Sequence, residues 1–244
     1  MRTIIYGDIH GCLEEFKELR LKVNPLDSDQ EIVIGDILDR GPHSNELLKY
    51  IRKNKISSIL GNHEYKYIRY KKHQDNFIKH NVKNPILLDD NKLNIFNNLS
   101  NEDFEYLQFL PLYLKIGNLT LIHAGITNKI NLLDANKKEL ENTLWIRMLD
   151  ENQNPLSLEK TNQINAKFWT EYYDGSQGVI VYGHNVFDDV KVDKYSIGID
   201  TGCVYGNKLT ALILNDTERP FSNYEIVQVE SKRKYSESEY KTSF

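Results

Sequence analysis

Six side chains able to hold a hard cation recur through the chain: Asp8, His10, Asp36, Asn62, His123 and His184. They combine carboxylate and amide oxygens with imidazole nitrogens and include no thiolate, a donor set suited to divalent Mn, Fe or Zn. One carboxylate in such a set can bridge two cations, and two metals about 3.5 to 4 Å apart clamp the attacking and leaving oxygens of an in-line displacement. Phosphoryl chemistry is the natural match. Taken singly, each motif has a plainer account. Gly-Asp-Ile-His-Gly at 7–11 fits a strand-to-helix turn capped by Asp8, and Gly-Asp-Ile-Leu-Asp-Arg-Gly at 35–41 fits a salt-bridged loop. Gly-Asn-His-Glu at 61–64 fits an ordinary turn, and His123 or His184 a hydrogen-bonded core histidine. Order and spacing argue for a shared purpose, because Asp8 to Asp36 is 28 residues and Asp36 to Asn62 is 26, one βα unit each.

The elements that must position these groups show in the pattern. Short β-branched or apolar runs at 3–6, 32–34, 56–60, 119–122 and 179–182 each end in one of the polar motifs. Continuous apolar runs imply strands covered on both faces. Between them Leu13, Phe16, Leu19 and Val23 mark one helix, and Leu47, Leu48 and Ile51 mark another with Ser44 as its expected N-cap. Strands alternating with helices predict an α/β sheet, in which ligands gather beyond the carboxyl ends of strands. Residues 65–98, polar and rich in Asn and Lys, read as a helical insertion capping the cleft. Within 65–72 the Tyr and Lys residues read as a charge-rich helix face, with a nucleotide-binding surface as the alternative. Ser100 and Asp103 form a capping box before Phe104, Leu107 and Leu110. Further strands are expected at 197–199, 209–214 and 224–229, giving one domain over 1–230 and a frayed polar tail at 231–244.

Composition narrows the function. The 244 residues carry 31 Lys and Arg against 35 Asp and Glu, a net charge of −4, so strong nucleic-acid binding through a basic field is not expected. No apolar run approaches the roughly 18 residues of a membrane span, and the first residues lead straight into a strand, so the cytosol is the expected compartment. The two cysteines, Cys12 and Cys203, form no metal pair and read as buried apolar thiols. His43, His73 and His80 lie outside every motif and read as solvated.

Together, Gly-Asp-x-His-Gly, Gly-Asp-x-x-Asp-Arg-Gly, Gly-Asn-His-Glu, His-Ala-Gly at 123–125, Gly-His at 183–184 and the segment 199–206 resemble the calcineurin-like metallophosphoesterases of the phosphoprotein phosphatase type. The bacterial and phage branch of that family is also similar to the diadenosine tetraphosphate hydrolases. The resemblance covers roughly residues 1–215 and implies a four-layer α/β/β/α sandwich of two mixed sheets. It implies a first metal on Asp8, His10 and Asp36 and a second on Asp36, Asn62, His123 and His184, with Asp36 bridging. Manganese is the expected metal, with Fe, Zn or Co as alternatives. By the same resemblance a bridging hydroxide attacks phosphorus directly, His63 protonates the leaving oxygen, Asp39 orients His63, and Arg40 and Arg147 hold the phosphoryl oxygens. For Arg147 a core-edge arginine beside Trp145 is the alternative, and for Asp39 a plain partner of Arg40. Asn207 stands where the family usually has a second glycine after Gly206.

A serine/threonine protein phosphatase acting on a phosphoprotein is the leading expectation, resting on Asp39-Arg40 and Gly-Asn-His-Glu. A dinucleoside polyphosphate hydrolase is the alternative, because His-Ala-Gly-Ile-Thr at 123–127 and Asp-Thr-Gly-Cys-Val at 200–204 suit it equally. A noncatalytic metal- or nucleotide-binding module is the remote third.

Overall fold

The computed structural model describes residues 1–161 and 165–237. In the first half, β1 (Thr3–Tyr6), α1 (Leu13–Val23), β2 (Gln30–Val33), α2 (Ser44–Lys53) and β3 (Ser57–Ser58) precede three helices. These are α3 (Asn62–His80), α4 (Asp90–Asn97) and α5 (Asn101–Phe109). Then come β4 (Tyr113–Ile116), β5 (Leu119–Ile122), α6 (Lys137–Asn142), β6 (Met148–Leu149), β7 (Pro155–Leu156), α7 (Leu158–Thr161) and β8 (Lys167–Phe168). The chain closes with β9 (Val179–Tyr182), β10 (Lys191–Asp193), β11 (Ser196–Gly198), β12 (Lys208–Leu214) and β13 (Tyr224–Glu230).

Two five-stranded mixed sheets result, ordered β13-β12-β1-β2-β3 and β10-β11-β9-β5-β4, with a small sheet β7-β6-β8 beside them. In the first, β1, β2 and β3 run parallel while β12 and β13 are antiparallel. In the second, β5, β9 and β11 run parallel between antiparallel edges. Strand alternation decides what each face meets. Ile5, Ile32, Leu212 and Leu214 pack with Leu121, Val181 and Ile197 in a core between the sheets. Ile4, Tyr6, Ala211 and Ile213 face the other way, onto Phe16 and Leu19 of α1 and Leu47, Leu48 and Ile51 of α2. The far side of the second sheet is covered by Trp169, Phe168, Ile126 and Leu149, a layer built from α6, the small sheet and turns.

Local signals explain most of these elements. Ser100 and Asp103 close the expected capping box on α5. At α2 the expectation changes: His43 is the N-cap, and Ser44 is the first helical residue, its hydroxyl accepting from the Asp39 amide at 3.0 Å. The apolar run at 56–60 yields only a two-residue strand; the Ile59 amide still bonds the Val33 carbonyl of β2 (3.1 Å), and the Leu60 amide leaves the sheet to bond the Pro111 carbonyl (2.8 Å). Cys12 and Cys203 are free and buried in the same helix-side core. Gly206 is left-handed (φ 91°), while Asn207 is absent from the left-handed residues, so the exchange at that position leaves the turn intact. Residues 231–237, expected to be loose, instead lie along α1, where Glu15 accepts from the Lys232 amide (3.1 Å) and the Tyr235 hydroxyl (2.7 Å). The rest of the expected tail, 238–244, falls outside the described residues.

Candidate metal centre and active site

All six parallel strands point their carboxyl ends at one place. β1 delivers Asp8 and His10, β2 delivers Asp36, and β3 leads into Asn62 and His63 at the start of α3. From the second sheet, β5 delivers His123, β9 delivers His184, and β11 leads to Asp200. Turning so sharply after a strand demands unusual backbone, and His10, Asp36, Asp39, Arg40 and His184 all sit at positive φ, between 46° and 74°. Each non-glycine residue held there costs of order 1 kcal/mol or more and persists only when its surroundings over-determine it.

The surroundings do so. Glu64, fully buried, accepts from the amides of Asp36 (2.9 Å), Leu38 (2.9 Å) and Gly61 (3.2 Å), fixing the β2 loop to the start of α3. Burial, and then the Asp36 carboxylate, push Glu64 up to about 7 despite these bonds. Two glycines allow the close approach. A Cβ on Gly61 would strike Asp36, and one on Gly183 would strike the Asp8 carboxylate.

Two groups of side chains converge closely enough to share an ion: His10, Asp36 and His63, and Asp36, His123 and His184, with ligand atoms within 4.8 Å in each. Asp36 belongs to both. Its Oδ2 lies 3.5 Å from His10 Nε2, and its Oδ1 lies 3.4 Å from His123 Nε2. Asn62 Oδ1 is 2.9 Å from the same His123 nitrogen, and Asp8 Oδ2 accepts from the His184 amide at 2.9 Å. Two ring orientations are set from behind: His10 Nδ1 bonds the Leu38 carbonyl at 2.9 Å and His123 Nδ1 the Ile34 carbonyl at 3.0 Å, leaving Nε2 toward the centre. Asp8 Oδ1 is buried without a hydrogen-bond partner, an acceptor that a cation would satisfy. These residues therefore fit a pair of divalent cations.

The electrostatics point the same way. Burial works against the Asp36 carboxylate, but His123 and His63 outweigh it and hold it well below the usual range. Burial raises Asp8 strongly, helped by Asp200 and Asp36. Burial keeps His10 and His184 neutral, as ligands must be, with Arg40 beside the first and Arg147 beside the second reinforcing it. In His123, burial is outweighed by the facing Asp36, and the pKa rises. Five buried carboxylates, Asp8, Asp36, Asp39, Glu64 and Asp200, with several imidazoles form a charge pattern that added positive charge would relieve.

His63 differs from the others. Its Nδ1 is bonded to Asp39 Oδ2 at 2.6 Å, and its Nε2 faces the cleft 4.0 Å from Asp36 Oδ2. The Tyr67 hydroxyl donates to the other Asp39 oxygen. Burial opposes the Asp39 charge, yet His63 and Tyr67 together hold it below its ordinary value. Asp39 is thus bonded to His63, not to Arg40, whose guanidinium lies 2.6 Å from His10 Nε2 and over the Tyr205 ring. Arg147 is half-buried and bonds Asn185 Oδ1 at 3.2 Å. Both arginines line an open cleft of about 1000 Å³ with Asn62, His63, His184 and Trp145.

Sequence reasoning did not single out Glu64, Tyr67, Asp200 or Asn185. Glu64 was in view as the last letter of Gly-Asn-His-Glu, and Asp200 as the start of Asp-Thr-Gly. Asp200 is buried and raised to about 6 by burial and by repulsion from Asp36, while bonding the Gly202 amide. Tyr67 carried no motif signal beyond its place one turn after His63.

Paired mixed sheets with an acid and imidazole cluster at their shared carboxyl edge define a metal-dependent phosphoesterase. Residues 1–214 match the calcineurin-like phosphoesterase family, and the chain belongs to it. A relative from Oceanobacillus iheyensis named bis(5'-nucleosyl)-tetraphosphatase PrpE (asymmetrical) is 32% identical over 230 residues, covering 86% of this chain and 88% of its own. The Bacillus subtilis protein of the same name is 27% identical across 97% of this chain and 98% of its own. Among solved structures, one described as a candidate diadenosine tetraphosphatase superposes with a TM-score of 0.73 at 24% identity, covering 94% of this chain and 93% of its own. A serine/threonine phosphatase from Saccharomyces cerevisiae shares the fold at a TM-score of 0.60 and 17% identity. No helix among the described residues is long and apolar enough to cross a membrane.

Proposed function

We propose that this hydrolase cleaves dinucleoside polyphosphates, the second of the two substrate readings, instead of phosphoproteins. The observation that carries the choice is the near full-length similarity to proteins named as tetraphosphatases, set against likeness in fold alone to a protein phosphatase. The cleft agrees with it. Trp145 is 43% exposed at the rim and meets Tyr65 edge-on at 5.5 Å, presenting an aromatic surface beside the phosphoryl site.

Asp8, His10, Asp36, Asn62, His123 and His184 would hold the two cations, with manganese the first to try. Bound there, such ions acidify water toward neutrality and neutralise the charge of the phosphoryl group. Arg40 and Arg147 present guanidinium forks to the non-bridging oxygens of the scissile phosphate. His63 delivers a proton from Nε2 to the leaving oxygen, while Asp39, steadied by Tyr67, keeps Nδ1 protonated and the ring oriented.

The test is a pair of initial-rate measurements with manganese, on diadenosine tetraphosphate and on a phosphoserine peptide, with a chelator control. The expected outcome is a kcat/KM ratio above about 100 in favour of the dinucleotide, corresponding to roughly 2.7 kcal/mol of differential transition-state binding. A ratio as large in the other direction would return the assignment to a protein phosphatase.

A further inference from the structure

The catalytic cleft does not end at the arginines. Lys66 of α3, Lys92 of α4, and Arg233 and Lys234 of residues 233–237 line it as well. Residues 233–237 lie beyond the part of the chain that matches the family, which stops at 214. They are nevertheless held firmly. Besides the two bonds to buried Glu15, the amides of Tyr235 and Ser236 share the Val204 carbonyl at 3.0 and 3.1 Å, and the Ser231 amide bonds the Asn207 carbonyl at 2.6 Å. Val204 immediately precedes Tyr205, over which the Arg40 guanidinium lies, and Asn207 follows two residues later, so the strap is attached to the active-site wall itself.

We infer that this C-terminal strap, with Lys66 and Lys92, forms a cradle for the phosphates beyond the scissile one, making cleavage efficiency depend on phosphate-chain length. The inference rests on the proposed function and deepens it. In a chain of net charge −4, six cationic side chains line this cleft against three carboxylates, so the field is focused where a polyphosphate would lie. Two of the carboxylates, Asp89 and Glu237, pair with Lys92 and Lys234 at the surface. Exposed pairs of this kind are weak, and a phosphate oxygen with greater charge can displace either carboxylate. Arg233 stacks on the Tyr235 ring at 5.0 Å, and this orients it at little cost in side-chain freedom.

The experiment uses the full chain with Arg233→Ala and Lys234→Ala combined, and a conservative partner with Arg233→Lys and Lys234→Arg. Steady-state constants are measured on p-nitrophenyl phosphate, diadenosine triphosphate and diadenosine tetraphosphate, and the Ki of inorganic tripolyphosphate is measured against the first. The expected result is a loss that grows with phosphate number, reaching about tenfold in KM for the tetraphosphate with a parallel rise in Ki, and recovered by the conservative variant. A loss equal for all three substrates, or none for the tetraphosphate, overturns the cradle. If the wild type hydrolyses no dinucleotide yet the tripolyphosphate Ki still rises in the variant, the cradle stands and the assigned substrate falls.

Discussion

At the scale of single residues, His63 carries the most specific expectation. Its ring is fixed by Asp39, and Asp39 in turn by Tyr67, a chain of bonds reaching from the cleft into α3. His63→Asn should lower kcat by about 10² to 10⁴, the range for a lost general acid. Tyr67→Phe leaves Asp39 with one partner fewer and should cost only about tenfold or less, acting through kcat with KM preserved. A His63→Asn variant that loses less than tenfold would remove the residue from the role of acid. The side chains proposed to do chemistry were legible in the sequence because short motifs carry them. Glu64, Tyr67 and Asp200 were not singled out, since their importance lies in which buried backbone amide or carboxylate they meet, and no spacing rule encodes that.

At the scale of elements, helix periodicity and apolar runs located α1, α2 and the long strands, because a buried stripe leaves a direct trace in residue type. The strap at 231–237 left no such trace. It is polar, and its anchor Glu15 lies 217 and 220 residues away in the chain from Lys232 and Tyr235. A second long-range tie joins the start of β1 to the loop before β2. Asp29 accepts from the Arg2 amide (2.9 Å), the Arg2 guanidinium and the Leu26 amide (2.9 Å). The Arg2 side-chain bonds chiefly hold the Asp29 carboxyl below its ordinary range. Since the folded value is depressed, the tie contributes fully above the unfolded pKa of about 3.9 and is lost as pH falls through the folded value. Asp29→Asn should therefore cost about 1 to 2 kcal/mol at pH 7, and the gap in Tm from wild type should close in acid below about pH 4. A gap that is constant with pH would mean the carboxylate charge contributes nothing.

At the scale of the whole molecule, the proposed ligands are divided between the sheets. Asp8, His10, Asp36 and Asn62 follow strands of one, while His123 and His184 follow strands of the other. Any ion bound only by the folded arrangement adds to stability by mass action. Saturating manganese should raise Tm by several degrees, and a chelator should reverse it; if Tm does not respond, the ligand set is wrong. This division also bears on the order in which the protein assembles. Asp36 belongs to both candidate groups: His10 and His63 follow strands of its own sheet, whereas His123 and His184 reach it only when the second sheet docks. With the proposed ligands, the ion shared by Asp36, His123 and His184 can be held only once the sheets dock, so its uptake would be a clock for refolding, starting with the phase that joins the sheets and not with the earlier collapse of either.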